Sequence, residues 1–256
     1  MASAPQSLPL FYNSLEPLSS EQHGNFRLRP SNGAPFLANQ HAIPLTVDEF
    51  PMAQRNLPIV FSQGDDGVPL ALMGLNEGIN VFIDENGQLR EPYTYVPAYI
   101  RRYPYLLARL RPEAEELTLC FDPSSDTIGA FDEGEPLFAD GEPTDVTKSI
   151  LEFNQQFEEA GARTAAFMNE LRELDLLMDG EVTIQPDGAD KPFVYSGFRM
   201  VDEKKLNDLR GDQLRKMTQS GLLPLIYAHL FSLSVMREIF TRQMQLGLMP
   251  APQLVA

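Results

Sequence analysis

The chain has 256 residues, 43% hydrophobic and 22% charged, which is ample material for a packed core in one large domain or two small ones. Its 36 acidic residues outnumber 20 basic ones, and the net charge of -16 excludes a general affinity for nucleic acid or anionic membrane, because phosphate binding needs a positive surface field. With Cys120 as its single cysteine, the chain can form neither an internal disulfide nor a cysteine-based zinc cage.

The start, Met1 to Leu10, has no positively charged segment followed by a long apolar one, so it does not read as a secretory signal, and a cytoplasmic setting is expected. Residues 1-45 carry Pro5, Pro9, Pro17, Pro30, Pro35 and Pro44 among polar neighbours. Each proline removes a donor and restricts its predecessor, which predicts an extended arm lying on the body through Phe11, Tyr12, Phe26 and Phe36. A single α+β domain over 46-247 and a fraying tail over 248-256 complete the expected organisation.

From Pro58 the pattern changes to short apolar runs parted by turn residues. Ile59-Val60-Phe61, Leu70-Ala71-Leu72-Met73 and Val81-Phe82-Ile83 predict an antiparallel meander, with Asn86-Gly87 favouring a tight turn after the third run. A helix is expected near Pro97 to Arg111 and a strand over Leu117-Phe121. The strongest periodicity follows. Val146, Ile150, Phe153, Phe157, Ala160, Thr164, Phe167, Leu171 and Leu174 alternate four and three apart, one stripe of a helix that Thr144 can cap and that Gly161 weakens in the middle. Val182-Thr183-Ile184 and Phe193 to Met200 bracket Pro186-Asp187-Gly188 as a hairpin. Asp202 is placed to cap a helix with Leu206 and Leu209; a second starts at Gly211-Asp212 and stops at Gly221; Pro224 sits in the first turn of the last. The apolar run Leu222 to Met236 is short for a bilayer span and reads as a buried helix, so no membrane insertion is expected. An antiparallel sheet in the first half and helices in most of the second give an α+β class with a proline-rich N-terminal arm.

Motifs for chemistry are scarce. His23, His41 and His229 have no paired neighbour of the H-x-H, H-x-D or HExxH kind, so no metal and no cofactor are expected, and His229 reads as a hydrogen-bonded core residue. Cys120 lies in an apolar strand, where burial raises a thiol pKa. Ser196 lacks the second glycine of a nucleophile elbow, and no phosphate-binding glycine loop occurs. One charged feature stands out. Arg90, Arg101, Arg102, Arg109 and Arg111 are interleaved with Tyr93, Tyr95, Tyr99, Tyr103 and Tyr105, and Glu113 to Asp145 follows without a lysine or arginine. Either the two stretches neutralise one another, or arginine forks and tyrosine rings form a pocket or interface for an acidic group.

Several segments together resemble the SapC family of bacterial proteins. They are His41-Ala42-Ile43-Pro44-Leu45 with Glu49-Phe50; Leu57-Pro58-Ile59-Val60-Phe61; Gly74-Leu75 with Asn80-Val81-Phe82; and Tyr95-Val96-Pro97-Ala98-Tyr99-Ile100-Arg101-Arg102-Tyr103-Pro104-Tyr105. Gly197-Phe198, Val201 to Leu206, Gly221-Leu222-Leu223 and Tyr227-Ala228-His229-Leu230 complete the match, in which Pro104-Tyr105 stands where Pro-Phe is expected. The resemblance implies an accessory role around surface-layer, envelope or uptake systems, and it carries no catalytic residues with it. The expected function is therefore a non-catalytic binding or adaptor protein for an acidic small ligand or a protein partner of such a system. Tyr95, Tyr99, Arg101, Arg102 and Tyr103 are the expected binding residues, and His41 and His229 are further candidates. Self-association stays open. The alternatives are a small-molecule or peptide-modifying enzyme that uses the same arginines with a histidine, and a structural surface-layer component.

Overall fold

A computed structural model describes residues 8-31, 33-64, 66-111, 116-186 and 191-248. The predicted turn at Asp187-Gly188, the first three residues of the acidic stretch that begins at Glu113 and nearly all of the predicted tail lie outside these residues. The chain divides into two compact units, one built from residues 1-33 and 100-159, the other from 34-99 and 160-256.

In the first unit, antiparallel strands lie in the order Glu16–Pro17, Thr118–Phe121, Tyr105–Ala108. A second small sheet sets Arg27–Leu28 between Ile128–Gly129 and Glu135–Pro136. Strand periodicity sorts the side chains. Tyr105 and Leu107 join Leu119, Phe121 and Leu137 in a cluster covered by Val146 and Ile150, while Leu106 and Cys120 pack with Tyr12 on the other side. The proline-rich stretch is thus no separate arm among the described residues. Its residues supply strands to three sheets, because prolines at strand ends and edges cost no ladder bond. The helix predicted near Pro97 to Arg111 is also corrected. It lasts only over Ala98–Arg101, Pro104 interrupts it, and Tyr105–Ala108 is strand.

The stripe beginning at Val146 forms one uninterrupted helix, Asp145–Glu173, with no break at Gly161. Thr144 opens it through its carbonyl, which accepts from Lys148 N at 3.0 Å. Its hydroxyl instead donates to the Pro136 and Leu137 carbonyls at 2.8 and 3.2 Å.

The second unit holds a five-stranded antiparallel sheet in the order Leu177–Ile184, Phe193–Val201, Ile59–Phe61, Pro69–Leu72, Ala42–Pro44. The Val81-Ile83 run, predicted as a strand, keeps only a single bridge between Ile83 and Leu89. Asp202 caps Glu203–Asn207 by accepting from Lys204 N and Lys205 N. Gly221, at a φ of 79°, ends Gly211–Ser220 in the left-handed conformation that glycine adopts without strain. The final helical run, Leu222–Gln245, is longer than its apolar core suggested, and by length and composition it is apolar enough to cross a bilayer. Its Ile226, His229, Ser232, Met236 and Ile239 are buried within the protein.

His229 has a definable task there. Arg199 pairs with Phe61, so the antiparallel register sets Val201 opposite Ile59. At that point the imidazole stands between the strands: the Val201 amide donates to Nε2 at 3.1 Å, and Nδ1 lies 2.8 Å from the Ile59 carbonyl. Because Nε2 accepts, Nδ1 carries the proton and donates it to that carbonyl. Ser232 completes the clamp by accepting from the Ile59 amide at 2.8 Å.

Burial lowers the His229 pKa to about 4, against an ordinary value of 6.5. The unfolded chain therefore takes up this proton first, so the stability from this group is complete above about pH 6.5. It falls as the pH drops towards about 4, by about 3 kcal/mol in all. Urea denaturation between pH 7 and pH 4.5 should show the loss. His229→Phe should start less stable at pH 7 and lose less over the same interval; an unchanged slope in that variant would contradict the bridge.

Candidate functional site

The residues singled out by the sequence divide between the two units. Arg101, Arg102 and Tyr103 lie in the first unit and line one cavity of about 770 Å³, a volume within the ordinary range for ligand pockets. Tyr95, Tyr99, His41 and His229 lie in the second. Tyr95 donates its hydroxyl to Glu49 Oε1 at 3.0 Å, and Tyr99 is buried. The Glu49 carboxylate also accepts from the Ala98 amide at 2.6 Å and from the Thr46 amide and hydroxyl at 2.9 and 2.8 Å, so Tyr95 is part of a buried tie. The His41 carbonyl accepts from Met73 N and Gly74 N at 2.7 and 3.2 Å, which fixes its backbone against the sheet. His229 is fully buried with both ring nitrogens committed to backbone. Among the described residues, no three side chains of the His, Cys, Asp and Glu types gather as a metal set would.

Three segments supply most of the lining of the first unit's pocket, with Thr127 and Glu135 added from elsewhere. Leu28, Arg29 and Pro30 leave the strand Arg27–Leu28; Tyr103, Pro104 and Tyr105 enter the strand Tyr105–Ala108; the third segment is the start of the long helix. On that helix Val146, Ile150 and Phe153 recur at spacings of four and three and line the cavity from one face. The stripe read as helix core thus also supplies a pocket wall.

The arginines differ in kind. Arg101 is exposed, with its guanidinium 5.2 Å from the centre of the Phe153 ring. Arg29 is exposed, donates Nε to the Asp126 carbonyl at 2.7 Å and lies 4.1 Å over Phe131. Arg102 is 8% exposed, lies 4.2 Å over Phe157, and stands 3.6 Å from Glu158 on the same helix. One carboxylate partner of Arg102 thus comes from the helix. Two acids of the stretch that begins at Glu113, Glu135 and Asp145, line the pocket. The formal charge of the lining is therefore three positive against two negative, a net of one positive.

Two uncharged groups complete the site. Tyr105 and Asn154 line the pocket and are buried. Burial pushes the Tyr105 phenol far above its usual range, so its hydroxyl stays protonated. Sequence reasoning missed Arg29 and Asn154. Asn154 had a signal: it is a polar residue one turn after Ile150, beside an otherwise apolar stripe. Arg29 had none, since its place depends on strand pairing more than ninety residues away.

The contrast between neighbouring arginines gives a stability test. Arg101→Ala should leave thermal unfolding within about 0.5 kcal/mol of the parent, as for most exposed positions. Arg102→Ala should cost about 1–3 kcal/mol through lost packing on Phe157 and the uncovering of Glu158. Equal effects of the two substitutions would remove the distinction.

The SapC family model matches residues 18-239, most of the chain, and the protein belongs to that family. No curated protein matches the chain, and no solved structure matches it.

Proposed function

From membership of the SapC family and the geometry of this pocket, we propose that the chain is a non-catalytic binding protein that holds a small anion with an apolar body, as an accessory to bacterial envelope or transport functions. The observation that carries the reading is the cavity of about 770 Å³, in which guanidinium groups stand beside an apolar wall of Val146, Ile150 and Phe153. Guanidinium forks suit a carboxylate, and the apolar wall suits a chain or ring behind it.

Holding fits this lining better than proton transfer. Arginine keeps its charge at every accessible pH, and the Tyr105 phenol is driven away from neutrality, so these groups do not exchange protons near pH 7. No imidazole is among the lining residues described. The envelope or transport setting and a cytoplasmic location belong to the same proposal and rest on what the family resemblance implies. Tyr95 and Tyr99, expected beside the arginines, support the second unit instead.

Calorimetric titration with laurate below its micellar concentration tests this reading. Saturable binding is expected, and Arg29→Ala combined with Arg101→Ala should weaken it about tenfold or more while cooperative unfolding is retained, since charge-assisted hydrogen bonds contribute about 1.5–3 kcal/mol. No saturable heat, or the same affinity in the double variant, would sink it.

A further inference from the structure

A second cavity, of about 690 Å³, adjoins the first within the same unit. Arg29 and Pro30 line both, and Ala130 to Gly134 make up the rest of the second. The chain builds it at a crossing. Strands Ile128–Gly129 and Glu135–Pro136 flank Arg27–Leu28 and are both antiparallel to it. They therefore run parallel to one another, and the segment joining them has to pass across the strand between. Gly134 allows a close passage: its φ is 117°, and a Cβ there would run into the Leu28 carbonyl oxygen.

That segment brings Phe131 to Arg29, whose guanidinium lies 4.1 Å over the ring, while Nε donates to the Asp126 carbonyl at 2.7 Å. One face and one donor of the group are thus fixed. Its Nη pair is left to donate from an exposed side chain that stands between the two cavities.

The cavities differ in character. Val146, Ile150 and Phe153 give the first a largely apolar wall, whereas Asp132 and Glu133 make the second markedly more polar. A ligand lying across Arg29 therefore passes from apolar wall to guanidinium to polar wall. A carboxylate has one substituent and can reach into one cavity only. A phosphodiester has two free oxygens, which suit the Nη pair, and two ester oxygens, which lead away in different directions.

We propose, resting on the anion-pocket reading above, that the site takes a single-chain phosphodiester amphiphile: its apolar chain in the first cavity, its phosphate on Arg29 and a polar headgroup in the second. The carboxylates of Asp132 and Glu133 disfavour a headgroup with net negative charge.

Titrations of the full chain with lauroyl lysophosphatidylglycerol, lauroyl lysophosphatidic acid and laurate, each below its micellar concentration, separate the parts. The diester should bind about tenfold tighter than laurate, the yield of one further set of polar contacts, and tighter than the phosphatidic acid, which lacks the headgroup. Ala130→Trp, an exposed position on the second cavity alone, should bring the diester down to the laurate level and leave laurate unchanged. Arg29→Ala should weaken the diester more than laurate, which keeps Arg101. Equal binding of diester and laurate, or a phosphatidic acid that binds as tightly as the diester, overturns the assignment and leaves the anion pocket intact. An undiminished preference in Ala130→Trp overturns it as well. Failure of every probe to bind removes the pocket reading itself. Should Ala130→Trp not unfold cooperatively, the ratios in the unsubstituted protein decide.

Discussion

The second unit depends on one imidazole inserted where a sheet would otherwise bond directly. Strand Phe193–Val201 meets strand Ile59–Phe61 through the Arg199–Phe61 pair, and beside it His229 carries the hydrogen bond from Val201 to Ile59 across its ring. The arrangement works only for neutral imidazole with its proton on Nδ1. A charged ring would present a second N–H to the Val201 amide, two donors facing one another. Burial, which lowers the pKa to about 4, and the bridge therefore require the same protonation state. The Phe61 ring lies 4.6 Å from the imidazole centre and closes the space around it. Ser232, one turn further along the helix, holds the Ile59 amide, so a single helical turn sets the strand's position through both of its backbone groups.

Features governed by local chemistry were legible in the sequence. The stripe from Val146 to Leu171 forms a helix, Asp202 caps, Gly221 terminates, and the strands of the predicted 182-200 hairpin pair along their length. The helix, cap and terminator depend on residues within one or two turns of each other, and the hairpin on strands adjacent in sequence. What misled was partnership over distance. Val81-Phe82-Ile83 has strand composition, but the Asn80 side chain accepts from the Phe82 and Ile83 amides at 2.9 and 3.2 Å, which takes up donors that a ladder would need. The Pro97 to Arg111 segment has apolar and aromatic content suited to a helix, yet Pro104 divides it and Thr118–Phe121 recruits its second half as strand. The prolines of the first 45 residues read as punctuation of an arm. At strand ends they are compatible with pairing, and only the distant partners reveal it.

The candidate site was half legible for the same reason. Interleaved arginine and tyrosine marked the right segment, since side chains that favour anionic and apolar contact recur there at high density. Composition could not say which of them face a cavity. Arg101 and Arg102 are adjacent, yet one is exposed near Phe153 and the other is buried between Phe157 and Glu158. Tyr95 and Tyr99 were grouped with them by proximity in sequence, but the chain passes from one unit to the other between Tyr99 and Ile100. Tyr95 instead serves the Glu49 carboxylate, where four donors meet two oxygens.

An excess of 16 negative charges and the anion binding proposed for this pocket are not in conflict, because they act over different distances. In physiological salt the field of a surface charge is largely screened beyond about 8 Å. A polyanion such as nucleic acid extends over several such lengths and meets the acidic surface wherever it lies against the protein. On the proposed reading, a small anion inside the cavity would meet chiefly its lining, where Arg29 and Arg101 stand beside apolar side chains. On the proposed reading, a charge distribution unfavourable to large anions is thus compatible with a short-range site for a small one. The acidic composition would then be part of the selectivity, favouring ligands compact enough to be enclosed.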